Sequence, residues 1–215
     1  MPTANRQSEA VHEAKTVIAE AKDTVKSFFA AFGTVRSARN AVGAPTDEEQ
    51  DLLRAALVFA GAGLDSTVKH LIRGAVPLLA ISDDEMRSEL ETYVQRRLRD
   101  DAEQGSKYLA NVMLSSNAPS KLIEDYVRHL TGESLQSGEQ LLRILKAFGI
   151  SRSEVNLDKN QLDRIFDARN KIIHELDISG SSGVGQRRRN SRRKVNIQSD
   201  AWRAHTTWRA NNLCG

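Results

Sequence analysis

Apolar residues recur at a regular spacing near the start of the chain. The series comprises Val11, Ala14, Ile18, Ala21, Val25, Phe28 and Phe32. Alternating steps of three and four residues place one continuous apolar stripe along a helix. The pattern therefore predicts a long first helix that ends near Gly43.

A capping pattern marks the start of a second helix. In TDEE (46–49), a threonine precedes a glutamate by three residues, so each side chain can accept a hydrogen bond from the backbone N–H of the other residue. The second helix is predicted to run to about Arg73, and Pro77 is expected to break the chain after it. Two glycines inside this helix, Gly61 and Gly63, are expected to permit the close approach of another helix.

Four further helices are predicted in the rest of the chain. The segment SDDE (82–85) repeats the capping pattern and begins a helix that is expected to end near Gly105. Two short helices are predicted over 120–130 and 139–148, each followed by a glycine, the usual stop residue. A last helix is predicted over 158–176, and no segment has the pattern of a strand.

Composition supports an all-α fold. Only 5% of the 215 residues are aromatic and four are proline, whereas good helix formers are abundant. We therefore expect a helical bundle over residues 46–178, preceded by the N-terminal helix at 1–45. Residues 179–215 are expected to form a Gly/Ser linker and a basic tail, in which a terminal helix containing Trp202 and Trp208 is an open alternative.

Positive charge is concentrated in that tail. Eight of the 31 lysines and arginines lie after Gly180, but only one of the 28 acidic residues does. The stretch RRRNSRRK (187–194) is typical either of a solvated, disordered segment or of a segment that contacts RNA phosphates. In the second interpretation the RNA-binding residues are Arg187, Arg188, Arg189, Arg192, Arg193 and Lys194.

Other features of the sequence disfavour several classes of protein. The single cysteine, Cys214, cannot form an intrachain disulfide, which favours a reducing compartment. The longest apolar run, 55–64, has ten residues, about half of a membrane span, and no secretory signal precedes it. The histidines are scattered and no GxxxxGK phosphate-binding motif occurs. We therefore expect a cytoplasmic protein without a membrane partner, a metal or a cofactor.

Arg169 occupies an unusual position on the last predicted helix. On a helical wheel of about 100° per residue, it lies at the centre of the apolar stripe, where a leucine would be expected. The stripe residues are Leu162, Ile165, Phe166, Ile172, Ile173 and Leu176. Beside them runs a polar strip of Asp163, Asp167, Asn170 and His174. Because Asn170 and His174 are four residues apart, the amide is expected to touch the ring.

These side chains also have structural interpretations. Arg169 could be a core arginine that pairs with an acidic residue of another helix while its stem lies on apolar neighbours. His174 could be a surface histidine at the negative end of the helix. Salt bridges between residues four apart could account for Asp163, Asp167, Lys171 and Glu175. We prefer this last interpretation for the lysine and the glutamate.

The run RNKIIH (169–174) resembles the R-x(4–6)-H signature of the HEPN superfamily, which lies on a late helix of an all-α bundle. Asparagine is the favoured residue after the arginine of that signature. The segment 56–77 is also similar to the early helix of bacterial HEPN proteins of the RiboL-PSP type, so the resemblance covers residues 46–178. Some HEPN toxins carry a tyrosine two residues after the histidine, which a partner enzyme modifies. Leu176 stands there, so this form of control is not implied.

The resemblance implies an endoribonuclease that dimerises around the motif helix and cleaves RNA without a metal. Its catalytic residues would be Arg169, Asn170 and His174. Histidine exchanges protons near neutral pH, and the arginine donor fork matches the geometry of a phosphate. The implied partners are RNA and a second copy of the chain. Because related proteins act in toxin–antitoxin and anti-phage systems, a neutralising antitoxin or other protein partner is also implied.

Two other functions are open alternatives. A non-catalytic HEPN module could bind RNA or a protein, or mediate dimerisation, through the same residues. An α-helical interaction protein could instead bind its partner through the apolar stripe of the first helix.

Overall fold

A computed structural model describes residues 2–40, 42–148, 150, 158–175, 178–179 and 186–187. These residues are almost entirely helical, which confirms the expectation of an all-α fold. The helices are α1 (Pro2–Ala38), α2 (Asp47–Ser82), α3 (Asp84–Asp100), α4 (Ala102–Met113), α5 (Ala118–Thr131), α6 (Gly138–Ala147) and α7 (Lys159–Glu175). Two strands of two residues, which the sequence did not predict, are β1 (Ile178–Ser179) and β2 (Gln186–Arg187). They pair antiparallel, with Ile178 opposite Arg187.

The chain divides into two compact units. Unit 1 consists of Met1–Ala14, Val68–Ser134 and Arg143–Ser151, and unit 2 consists of Lys15–Thr67, Leu135–Leu142 and Arg152–Gly215. Residues of α1 and of α2 occur in both units. The RNKIIH motif belongs to unit 2.

The start of α2 has the predicted capping arrangement. Thr46 Oγ1 accepts a hydrogen bond from the Glu49 N–H at 3.3 Å, and the Glu49 carboxylate accepts one from the Thr46 N–H at 2.9 Å. The Glu49 side chain is buried and also binds Arg36 Nη1 at 3.0 Å and Arg39 Nε at 2.6 Å. The hydrogen bond from Arg39 is the main cause that lowers the pKa of Glu49 to about 2. One carboxylate therefore joins the end of α1 to the start of α2.

The prediction that Pro77 ends the second helix is wrong. α2 continues through Pro77 to Ser82, and α3 begins after Asp83, whose carboxylate accepts from the Met86 N–H at 2.7 Å. A proline inside a helix lacks one hydrogen bond and costs about 3 kcal/mol. Val76 and Ala80 beside it are buried. Because burial of such side chains contributes a comparable free energy, the helix persists through the proline.

The helix that was expected to end near Gly105 ends earlier, at Asp100. Asp101 then caps a separate helix, α4, by accepting from the Gln104 N–H at 2.9 Å. Gly105 lies inside α4, where an added Cβ would stand 2.8 Å from Leu98 Cα. This glycine is therefore a point of close packing between α3 and α4 and does not stop a helix.

The three later helices agree with their predicted bounds to within a few residues. Each begins with a polar side chain that accepts a hydrogen bond from a backbone N–H of the first turn. These cap residues are Asn117 for α5, Ser137 for α6 and Asp158 for α7, with distances of 3.2, 3.2 and 2.9 Å. Because such caps act over two or three residues, they are visible in the sequence.

Unit 2 has a core to which α1, α2 and α7 contribute. Its buried members are Ile18, Val25, Ala56, Leu57, Ala60, Ile165 and Ala168. Burial of a side chain of the size of Ile18 contributes about 1.5–3 kcal/mol to stability. Ile18 and Val25 belong to the apolar stripe of the first helix. Part of that stripe is therefore occupied within the chain, which disfavours the interpretation that it serves as a free partner-binding surface.

Candidate functional site

The Arg169 side chain lies against α2 at Gly61. A Cβ atom added at residue 61 would stand 3.2 Å from Arg169 Nε and 3.4 Å from its Cγ. Gly61 thus permits close approach, as expected, but the group that approaches is an arginine side chain. Leu162 and Phe166, on the stripe that flanks Arg169, are buried. The helical wheel therefore placed the arginine correctly on the inner face of α7.

The guanidinium of Arg169 has only neutral acceptors among the described residues. Its Nη1 donates to the Leu135 carbonyl oxygen at 3.4 Å and to Asn170 Oδ1 at 3.2 Å. Its Nε is buried and has no hydrogen-bond partner in the described part of the chain. The interpretation that Arg169 is a core arginine paired with an acid requires a carboxylate, and no described carboxylate pairs with it. The positive charge of this half-buried group is not neutralised by these residues.

Asn170 holds the segment that precedes α6. Its Nδ2 donates to the Gln136 carbonyl oxygen at 3.0 Å, and its Oδ1 accepts from Arg169. The same segment is anchored to α2, because the Leu135 N–H donates to Asp65 Oδ1 at 2.7 Å. The Asn170 amide was expected to touch the His174 ring. Its hydrogen bonds among the described residues are instead to Arg169 and to the Gln136 carbonyl group, 34 residues earlier in the chain.

Sequence reasoning missed the three residues around this segment, Asp65, Leu135 and Gln136. Leu135 and Gln136 act through their backbone groups, so their side chains carry no signal. Asp65 did carry one, because it is an acidic residue inside a predominantly apolar helix. Its partners include the backbone N–H of Leu135, in the segment that leads to α6.

His174 lies in the last turn of α7 and is exposed. Beside it, Ile173 is 42% exposed, whereas Ile172 packs against the core of unit 2. The apolar stripe is thus buried at its N-terminal end and opens to solvent toward the motif histidine. On an α-helix, positions 169 and 174 differ by about 140° in direction and about 7.5 Å along the axis. Within one chain the two side chains therefore start from different faces of α7.

The acidic residues of the polar strip form salt bridges, as the structural interpretation predicted. Asp163 binds Lys159 Nζ at 2.6 Å, and this hydrogen bond is the main cause that lowers the pKa of Asp163. Asp167 pairs with Lys171, which confirms the interpretation chosen for that lysine. The side chain of Glu175 lies outside the described residues. Asp163 and Asp167 therefore have partners of their own and do not form a carboxylate pair for acid–base chemistry.

The basic tail contributes little to the described structure. Arg187 is described only as part of the backbone pairing between β1 and β2. The side chains of the predicted RNA-binding residues, Arg187, Arg188, Arg189, Arg192, Arg193 and Lys194, lie outside the described residues. The alternative of a terminal helix with Trp202 and Trp208 also falls outside them.

No family model, curated protein or solved structure matches this chain. The described residues contain no group of three or more His, Cys, Asp or Glu side chains that could hold a metal ion. In the same described part of the chain, no helix combines the length and the apolar character needed to cross a membrane.

Proposed function

We propose that the chain is a metal-independent endoribonuclease of the HEPN type. Arg169, Asn170 and His174 would form its catalytic site at the interface between two copies of the chain. The observation that supports this proposal most strongly is the environment of Arg169. Its guanidinium is half-buried, and among the described residues it donates to neutral oxygens and pairs with no carboxylate. Since buried charges in proteins are normally paired, a phosphodiester group would supply the missing negative charge.

The reaction uses the 2′-hydroxyl group of RNA as its nucleophile. A histidine accepts the 2′-hydroxyl proton while the bond from O2′ to phosphorus forms and the bond from phosphorus to O5′ breaks. A second histidine, in its protonated form, donates a proton to the departing O5′. The arginine stabilises the negative charge that builds up on the phosphoryl oxygens. The products are a 2′,3′-cyclic phosphate and a free 5′-hydroxyl.

A dimer would complete this site. One histidine cannot act as both base and acid in the same step, and a two-fold axis brings a second His174 to the same place. The positions of Arg169 and His174 differ by about 140° around α7, so within one chain the two side chains start from different faces. The proposed site therefore combines the arginine of one copy with the histidine of the other. Exposed Ile173 beside His174 offers apolar surface for such an interface. Asn170 would position Arg169 through the hydrogen bond between them.

An enzyme of this kind is suited to a toxin or an anti-phage effector that acts on RNA in the cytoplasm. A cell that contains it would need a neutralising antitoxin or other protein partner. The basic stretch 187–194 would add non-specific contacts to RNA phosphates, and these contacts would weaken as salt concentration rises.

The test is cleavage of end-labelled RNA by the purified protein, with and without EDTA. We expect cleavage that EDTA does not stop and that a 2′-deoxy substitution at the cut position abolishes. Arg169→Ala and His174→Ala should each lower the rate by about 100-fold or more. Lys171→Ala is the matched control, because this residue lies between them and its described ion pair is with Asp167. Cleavage that requires a divalent cation, or that survives both alanine substitutions, contradicts the proposal.

A second candidate is a non-catalytic module that binds RNA or a protein through the same face of α7. The observation in its favour is that Arg169 and Asn170 already bind the Leu135 and Gln136 carbonyl groups, which is a structural role. This candidate predicts that wild-type protein binds RNA or a partner but leaves diverse RNAs intact. It also predicts that His174→Ala leaves binding unchanged while Arg169→Ala lowers the melting temperature.

A further inference from the structure

An open cavity of about 350 Å³ lies in unit 1, lined by residues of α3, α4 and α5. Most of its wall is apolar, and the polar groups of its wall include Tyr93, Arg97, Tyr108, Lys121, Asp125 and Arg128. We call it the Tyr108 cavity. Its volume falls within the range of small-molecule sites in proteins. It shares no residue with the Arg169 site, so a ligand could bind in it whether or not the chain cleaves RNA.

The hydroxyl group of Tyr108 is poorly satisfied. It is buried and makes no hydrogen bond of good geometry to the described residues. The Tyr93 hydroxyl is close enough to interact with it, but that oxygen already accepts from Arg97 Nη1 at 3.1 Å. Burial raises the pKa of Tyr108 to about 12, so the group remains a protonated donor at neutral pH. Buried polar groups in proteins nearly always have a partner. An acceptor oxygen supplied from the cavity would satisfy this hydroxyl.

The charges of the cavity wall favour an anion. Three cationic side chains, Arg97, Lys121 and Arg128, face a single carboxylate, Asp125, which leaves a surplus of two positive charges. Lys121 Nζ and Arg128 Nη1 both contact Asp125 Oδ1, at 3.0 and 3.1 Å. Burial, together with nearby arginines, lowers the pKa of His129 and so disfavours its charged form. The surplus positive charge is counted without this ring.

The aromatic wall is held in place by contacts within the chain. Arg97 Cζ lies 4.4 Å from the centre of the Tyr108 ring, and Arg97 Nη1 donates to the Tyr93 hydroxyl at 3.1 Å. The Tyr93 and His129 ring centres are 4.9 Å apart. A wall whose side chains already contact one another loses little freedom when a ligand binds.

We propose that the Tyr108 cavity binds a phosphate monoester attached to a ring-shaped organic group, such as a nucleoside monophosphate. A phosphate monoester carries about two negative charges near neutral pH and three acceptor oxygens. It therefore matches both the surplus charge and the poorly satisfied Tyr108 hydroxyl, whereas a carboxylate carries one charge. The apolar, aromatic part of the wall is suited to the ring.

The test is isothermal titration calorimetry of the full chain with adenosine and uridine 5′-monophosphates, adenosine and inorganic phosphate as probes. Both monophosphates should bind about tenfold or more tightly than adenosine or phosphate alone, because only they fill both parts of the cavity. Tyr108→Phe removes the poorly satisfied hydroxyl and keeps the ring. It should weaken nucleotide binding by about tenfold without lowering the melting temperature, an outcome that a purely structural role of the hydroxyl does not predict.

A charge variant and its control complete the experiment. Arg128 has a side chain that is 71% exposed, so Arg128→Gln should fold normally and weaken binding by about tenfold. Lys107→Gln removes the same charge from a side chain that is 62% exposed, pairs with Glu103 and does not line the cavity. It should leave affinity within about twofold. The proposal is overturned if no probe binds at millimolar concentration, if adenosine binds as tightly as its monophosphate, or if both cavity variants bind like wild type.

Discussion

Replacing Gly61 with alanine tests whether the contact between Gly61 of α2 and the Arg169 side chain contributes to stability and to activity. Inside a helix, alanine is more favourable than glycine by about 1 kcal/mol. At Gly61, however, the new Cβ would stand 3.2 Å from Arg169 Nε, 3.4 Å from Cγ and 3.5 Å from Cδ. Ordinary contacts between such atoms are about 3.5–4.0 Å, so the arginine must move by a few tenths of an ångström. The Nη1 hydrogen bonds, at 3.4 and 3.2 Å, are already long and would lengthen further.

The matched control is Gly33→Ala in α1, where an added Cβ would meet nothing within 4 Å. Gly33→Ala should raise the free energy of unfolding by about 0.5–1 kcal/mol. The free energy of unfolding of Gly61→Ala should be at least about 0.5 kcal/mol lower than that of Gly33→Ala, because displacement of the arginine offsets the gain in helix propensity. If Arg169 acts on RNA, Gly61→Ala should also lower the cleavage rate by about tenfold, since small misplacements of a catalytic group are costly.

Two measurements decide the outcome. Urea unfolding followed by circular dichroism gives the free energy of unfolding of each variant, and cleavage of labelled RNA gives the rate. If Gly61→Ala matches Gly33→Ala in stability and matches wild type in cleavage, the contact between Gly61 and Arg169 has neither an energetic nor a functional role. The stability comparison remains informative even if wild-type protein cuts no RNA.

Three further predictions concern stability. Gly74→Ala should destabilise the protein by about 1–3 kcal/mol, because its Cβ would stand 1.9 Å from Ala10 Cβ. Adding Ala10→Gly removes this clash and should recover much of the lost free energy of unfolding. A double-mutant cycle measured by urea unfolding checks this. The pKa of Glu49 is lowered from 4.5 to about 2, so its ion pairs stabilise the protein above about pH 4.5 and are lost as the pH falls toward 2. The urea midpoints of wild type and Glu49→Gln should therefore differ at pH 7 and converge near pH 2. Asp65→Ala should speed hydrogen exchange of the Leu135 amide, because it removes the acceptor oxygen. Asp65→Asn keeps an acceptor oxygen and should keep the slow exchange of wild type. Equal exchange in both variants would refute the anchoring role.

Local chemistry explains which parts of the fold were predictable. The box formed by Thr46 and Glu49 was predicted correctly because both hydrogen bonds join residues three apart. The extra ion pairs of Glu49 with Arg36 and Arg39 were not foreseen, since they depend on how α1 meets α2. Pro77 was misjudged for a similar reason. The intrinsic cost of a proline is visible in the sequence, but the burial that offsets it is not.

The candidate site divides in the same way. Periodicity alone placed Arg169 on the inner face of α7 and His174 away from it, because position on a helix follows from residue spacing. The partners of the motif could not be foreseen. Arg169 and Asn170 bind backbone carbonyl groups 34 residues earlier in the chain. Because every residue has a backbone carbonyl group, the residue types do not indicate which one will accept the hydrogen bond.

By itself, then, the amino-acid sequence determined the all-α class, most helix starts, and the arginine that faces inward from α7. These features depend on interactions within three or four residues, and such interactions are encoded by neighbouring side chains. Only the tertiary structure decided that α2 passes through Pro77, that Gly105 lies inside α4, and that Gly61 makes room for Arg169. Each of these outcomes depends on the distance between groups that are far apart in the chain, and that distance is set by packing.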